Sequence, residues 1–87
     1  MRRAARVDNN HGEIRDKLRK LGYSVFDTSG VGRSFPDLVV ADKYRTILVE
    51  VKSGTGALSE GQETFQEAWQ GEICTAYTLE NVLEFFE

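Results

Sequence analysis

Eighty-seven residues hold one domain, 1–87, with no room for a second core. An apolar fraction of 40% with 10% aromatics excludes a disordered chain, and a single cysteine, Cys74, excludes an intramolecular disulfide. The formal charge of −3 argues against a polyanionic partner until its distribution is examined: all eleven Lys and Arg lie in residues 1–52 beside seven acids, whereas residues 53–87 carry seven glutamates and no basic residue. Such asymmetry reads either as a polyanion-facing first half with the acidic half as a counter-surface, or as a solvated basic helix face with an acidic helix elsewhere. No apolar run approaches the roughly 20 residues of a membrane span, and the basic N-terminus lacks the apolar segment of a signal peptide. A soluble cytoplasmic protein is expected, with no membrane partner. So small a chain buries only roughly 60% of its unfolded surface, which favours oligomerisation.

In chain order, residues 1–8 read as a short basic arm. Asn9 or Asn10 is placed to cap a helix running to about Leu21, with Ile14, Leu18 and Leu21 on one apolar stripe and Gly22 as its stop. Arg15, Lys17, Arg19 and Lys20 cover its other faces. His11, beside the cap, is expected to be solvent-exposed. Tyr23 to Thr28 alternates as a strand, and Ser29 to Ser34 forms a loop with two glycines.

Asp37 to Ala41 is a nearly continuous apolar strand, which implies burial on both faces. Asp42 to Arg45 turns the chain into a partner strand, Thr46 to Lys52. After a Ser-Gly-Thr-Gly loop, Ser59 caps a second helix to about Gln70, with Phe65, Ala68 and Trp69 expected toward the core and Gly71 as the stop. Glu72 to Tyr77 is a short strand with Cys74 as a buried, inert thiol. Thr78 caps a last helix carrying Leu79, Val82, Leu83 and Phe86. The predicted order is α-β-β-β-α-β-α, an α/β fold with a mixed sheet flanked by helices and a crossover from the third strand to a parallel fourth.

The chemistry concentrates in Phe35-Pro36-Asp37 and, one hairpin later, Glu50-Val51-Lys52. Side chains alternate along a strand, so Glu50 and Lys52 share a face, and pairing of the two strands puts Asp37 beside Glu50. Charged residues closing a strand as apolar as Ile47-Leu48-Val49 need a reason, because buried charge is expensive unless it is paired or metal-bound. Two carboxylates and an ammonium suit Mg²⁺, which takes one or two protein carboxylates, waters and substrate phosphate oxygens. Glu13, near the start of the first helix, can face the same sheet. One Cys and one His build neither a zinc cluster nor a nucleophilic triad. The bland alternative is a rim ion pair between Glu50 and Lys52, with Asp37 a turn residue.

The set Glu13, Pro36-Asp37 and Glu50-Val51-Lys52 resembles the PD-(D/E)xK nuclease superfamily. The glycine-containing loop into Phe-Pro-Asp-Leu, the Val-Glu-Val-Lys strand and Leu58-Ser59-Glu60-Gly61-Gln62 resemble its VRR-NUC branch, whose stand-alone phage and bacterial members are similar; the intervals also resemble those of archaeal Holliday-junction resolvases. The resemblance spans about Asn9 to Trp69. It implies a restriction-endonuclease-like fold and a metal-dependent endonuclease acting on branched DNA in a bacterial or phage-infected cell. Asp37 and Glu50 would ligate Mg²⁺ or Mn²⁺, joined by the Val51 carbonyl and by Glu13 directly or through water. Lys52 would position the attacking water, and Gln62 matches a helix glutamine facing the site. Ser59-x-x-Gln62 is equally a capping box that needs no catalysis.

DNA contacts are expected from Arg2, Arg3 and Arg6 on the arm, from Arg15, Lys17, Arg19 and Lys20, and from Arg33 in the loop before Asp37. Such contacts position a duplex without reading its sequence. Paired cuts need two symmetric sites, so a homodimer is expected, with Trp69, Val82, Phe85 and Phe86 as candidate interface residues. No small-molecule cofactor is expected. Two alternatives remain: a flap or single-strand nuclease of a replication or repair machine, and a branched-DNA-binding module that takes its activity from a partner.

Overall fold

The computed structural model describes residues 2–87, with side chains from Asn10 onward. The elements follow the predicted order: α1 (Arg2–Lys20), β1 (Ser24–Asp27), β2 (Leu38–Ala41), β3 (Thr46–Val51), α2 (Glu60–Ala68), β4 (Ile73–Ala76) and α3 (Leu79–Phe86). The four strands form one mixed sheet in the order β1-β2-β3-β4. The first two pairings are antiparallel, and β3 and β4 run parallel across the α2 crossover.

The sheet has two unlike faces. Leu38 and Val40 of β2, Ile47 and Val49 of β3, and Cys74 and Ala76 of β4 pack with Ile14 and Leu18 of α1 and Val82 of α3 to form the core. Strand alternation sends Phe26, Val39, Leu48 and Ile73 to the other face, where the register makes them a single cross-strand row. This second face is covered by α2, which buries none of its own residues and reaches the sheet through Gln66, whose amide donates to Thr75 Oγ1 at 3.0 Å, and through Gln62. Phe26, on edge strand β1, stays 70% exposed.

Local signals explain the ends of most elements. The turn closing α1 has Tyr23 N–H donating to the Leu18 carbonyl and Gly22 N–H to that of Arg19, with Gly22 at φ +101°, the left-handed stop that glycine supplies. Capping boxes open α2 (Ser59 with Gln62) and α3 (Thr78 with Asn81). Arg45 forks onto Glu72 with two bonds of 3.1 Å, tying the start of β3 to that of β4.

Several expectations need correction. The first helix does not start at Asn9 or Asn10 but runs from Arg2, so the backbone of the expected arm is helical. The side chains of Arg2, Arg3 and Arg6 lie outside the described residues. Leu21 falls just past the helix end and is exposed. In α2, Ala68 is exposed, Phe65 half-buried, and Trp69 41% exposed rather than directed to the core. Val82 is fully buried and is no surface residue. Phe85 and Phe86 are engaged within the chain, with the Arg45 guanidinium 5.7 and 5.6 Å from their ring centres and the Tyr23 ring 4.9 Å from Phe86. Among the described residues, no helix is long and apolar enough to cross a membrane.

Leu18 has no exposed surface and joins α1 to the core under β1–β3. Leu18→Ala is expected to destabilise the fold by about 3 kcal/mol in urea unfolding, from lost transfer energy and the cavity left behind. A loss below about 1 kcal/mol would mean that α1 is not integral to the core.

Candidate metal centre at the end of the sheet

β2 and β3 pair with Leu38 opposite Val49, and one step further the same register puts Asp37 opposite Glu50. Asp37 stands just before β2 and is held from three directions. Thr28 N–H donates to the Asp37 carbonyl at 2.8 Å, and Thr28 Oγ1 donates to the carbonyl of buried Pro36 at 2.8 Å. Val51 N–H donates to Asp37 Oδ2 at 2.9 Å. The N–H and C=O of a strand residue leave on the same side of the strand, so the Val51 carbonyl also lies on the Asp37 side.

Glu50 is only 4% exposed although it is ionisable. Its Oε2 accepts from Gln62 Nε2 at 2.9 Å, with Lys52 Nζ at 3.8 Å. Burial, reinforced by the negative charge of Asp37 and only partly offset by Lys52, pushes its pKa up to about 7. One carboxylate is therefore pinned by a backbone donor, and the other is buried beside it and short of positive charge. That is the donor set a hard divalent cation completes: two carboxylates and a backbone carbonyl fit Mg²⁺ or Mn²⁺, with remaining positions for water and phosphate oxygen.

Gln62 stands in both of the settings that its sequence context suggests, the helix cap and the carboxylate pair. Its Oε1 accepts from Ser59 N–H at 2.9 Å and closes the capping box, while its Nε2 holds Glu50. The cap fixes the rotamer with which Gln62 meets the carboxylate. Glu13 is not brought into the pair: it is exposed and lines a separate hollow with His11, Arg15, Asp16, Asp27 and Ser29. Among the described residues no group of three or more His, Cys, Asp or Glu side chains converges on one point. The centre as built therefore consists of Asp37, Glu50 and the Val51 backbone, with Lys52 and Gln62 beside it.

Of the expected DNA-contacting cations, Arg15 is tied to Asp16 and to Asp27 Oδ2, both at 2.9 Å, and Arg19 donates to the Val25 carbonyl at 3.0 Å. Lys17, Lys20 and Arg33 are exposed. Arg33 sits with Gly32 and Ser34 in three consecutive left-handed residues (φ +84°, +58° and +64°) immediately before Phe35-Pro36-Asp37.

Three supporting residues escape a reading of the sequence. Asn10, inside α1 rather than at its cap, donates to the Lys52 carbonyl at 3.0 Å. Thr28 anchors Pro36 and Asp37, and no motif announces it. His11 is half-buried rather than exposed, with Nε2 3.2 Å from Asp27 Oδ2. Burial pushes Asp27 upward, but hydrogen bonds from Ser29 Oγ, Ser29 N–H and Arg15 outweigh it and hold the carboxyl well below its usual range. The Asp-x-Ser spacing ahead of Gly30 is the turn signal that could have revealed that contact.

The raised pKa of Glu50 has a consequence for stability. The fold binds a proton at Glu50 more tightly than the unfolded chain, whose ordinary value is 4.5. The resulting stability is full below about pH 4.5 and is lost as pH rises through about 7. In metal-free buffer, Glu50→Gln should therefore stabilise the protein at pH 8 by on the order of 3 kcal/mol and leave it nearly unchanged at pH 4.5. Chemical unfolding across that range measures the difference, and parallel profiles for the two proteins would show that Glu50 is not destabilised. Mg²⁺ should narrow the gap by stabilising the wild type alone.

No protein-family model matches this chain, and comparison with curated proteins returned no match.

Proposed function

We propose that this protein is a metal-dependent DNA endonuclease that hydrolyses phosphodiester bonds in branched DNA, using Mg²⁺ or Mn²⁺. The observation that carries the proposal is the pairing of Asp37 with a buried Glu50 at one end of the sheet, with Lys52 beside them. A buried carboxylate next to a second one is unfavourable on its own account, and a structural ion pair with a single lysine at 3.8 Å is poor compensation. The resemblance of Phe35-Pro36-Asp37, Glu50-Val51-Lys52 and Ser59-x-x-Gln62 to the VRR-NUC branch supports the same reading.

In this reading Asp37, Glu50 and the Val51 carbonyl hold the cation, which when bound lowers the pKa of water and neutralises charge on the phosphoryl oxygens. The chain's own residues do the rest. Val51 N–H and Thr28 fix Asp37 before substrate arrives, so no reorganisation is needed during reaction. Gln62 Nε2 holds Glu50 through its Oε2. Lys52 Nζ, a compact charge with three donors, positions the attacking water and meets the charge that develops on the phosphorane. Glu13, one helical turn beyond Asn10, lines a separate hollow and is left out of this set.

Phosphates bind to the basic half of the chain. Lys17, Lys20 and Arg33 supply exposed cations, and Arg2, Arg3 and Arg6 belong to the same basic half of the sequence. These contacts read backbone geometry rather than bases, which makes the cutting structure-selective. Two copies acting as a homodimer supply the paired sites that a branched substrate needs. The open site face, with Phe26 and Trp69 exposed, is the better surface for that association than α3.

Cleavage of a labelled four-way junction, measured beside flap, single-strand and plain duplex substrates, tests the proposal. Symmetric junction cuts are expected in Mg²⁺ and none in EDTA, and Lys52→Ala should lower the rate by about 10²-fold or more. Cuts confined to flaps or single strands would keep the centre and replace the substrate. Metal-independent junction binding with no cutting of any substrate would leave a DNA-binding module in place of an enzyme.

A further inference from the structure

The second helix has a seating problem. It buries none of its residues, yet one of them holds the buried carboxylate of the candidate centre. Its contacts lie along one stripe. Gln62 bonds Glu50 at 2.9 Å, the Phe65 ring packs edge-on against Phe35 at 5.5 Å, and Gln66 bonds Thr75 at 3.0 Å. The fourth contact is Gly61 against Ser34: a Cβ built on Gly61 would run into Ser34 Oγ, a distance no real Cβ adopts.

That contact explains a residue that helix chemistry does not. Glycine is among the poorest helix formers, and Gly61 sits in the first turn of α2 with no positive φ to require it. Only the Ser34 hydroxyl, by turning about χ1, can make room, since its Cβ is already at contact distance and the Ser34 backbone is fixed. Ser34 is the last of the three consecutive left-handed residues, and Phe35-Pro36, which follow it, are held by Phe65 and by Thr28.

We infer that Gly61 is a positioning residue for the candidate centre: its missing side chain lets α2 close onto Ser34, and that closure delivers Gln62 to Glu50. The adjoining loop and helix are thereby locked to one another, Asp37 following from one and Gln62 from the other. This inference rests on the metal-site reading for its consequence, not for its geometry.

The test is a pair of variants read in two ways. Propensity alone predicts that Gly61→Ala strengthens α2. The clasp predicts the opposite at the site: in the metal-free protein the side-chain amide resonances of Gln62 move toward those of exposed Gln70. Mn²⁺ affinity, measured by calorimetry, falls about 10-fold, as when a residue orienting a ligand is lost. Adding Ser34→Gly, which removes the obstructing hydroxymethyl at a left-handed position that glycine accepts, should return both readouts to wild type. Unchanged Gln62 resonances in Gly61→Ala overturn the inference, as does a shift that Ser34→Gly fails to reverse. If Gly61→Ala does not fold, the double variant decides: a folded protein with native Gln62 resonances supports the clasp, and an unfolded one overturns it. Wild-type protein that binds no Mn²⁺ sinks the metal reading, while the amide resonances still decide the clasp.

Discussion

The hairpin register between β2 and β3 is the constraint on which the rest of the site depends. With Leu38 opposite Val49, Asp37 meets Glu50, Val51 N–H meets Asp37 Oδ2, and Glu50 faces α2. A slip of β3 by one residue would turn Ile47 and Val49 out of the core and Leu48 and Glu50 into it. Hydrophobic burial thus enforces the register, and the register assembles the chemistry. The apolar face needs no function to justify it; the carboxylate pair on the other face does.

The two faces also divide stability from function. One packs α1 and α3 against six inward side chains of β2, β3 and β4 and contains nearly all the buried apolar residues. The other has only α2, seated by two glutamine side chains, an aromatic contact and a close approach at Gly61. An element held this way sits at the low-stability end of a fold, where moving parts of sites are drawn from. The same sparse covering leaves Phe26 exposed on the sheet, and Trp69 stays exposed at the end of α2.

Much of this was legible in the residues, for identifiable reasons. The order of elements followed from apolar periodicity punctuated by Gly22, Ser59 and Thr78, each of which does its predicted capping or stopping job close to the expected place, whereas Gly71 is not the stop that its position suggests: α2 ends at Ala68 on an extended Trp69. The Asp37–Glu50 pairing followed from strand alternation and a short turn. What was not legible depended on tertiary contacts. Asn10 has the composition of a cap but lies within a helix and reaches Lys52; Val82, Phe85 and Phe86 look like surplus apolar surface until Arg45 and Tyr23 are found against the two rings. Trp69 has the spacing of a core residue on a helix that has no core to meet. Thr28 and Gly61 carry no motif, because their roles are to fit one particular neighbour.

If Asp37, Glu50 and the Val51 carbonyl form one cation site, crystals of the protein soaked in Mn²⁺ will show an anomalous difference peak bonded to those three groups. No peak there, or a peak instead in the hollow between Glu13 and Asp27, would contradict that assignment.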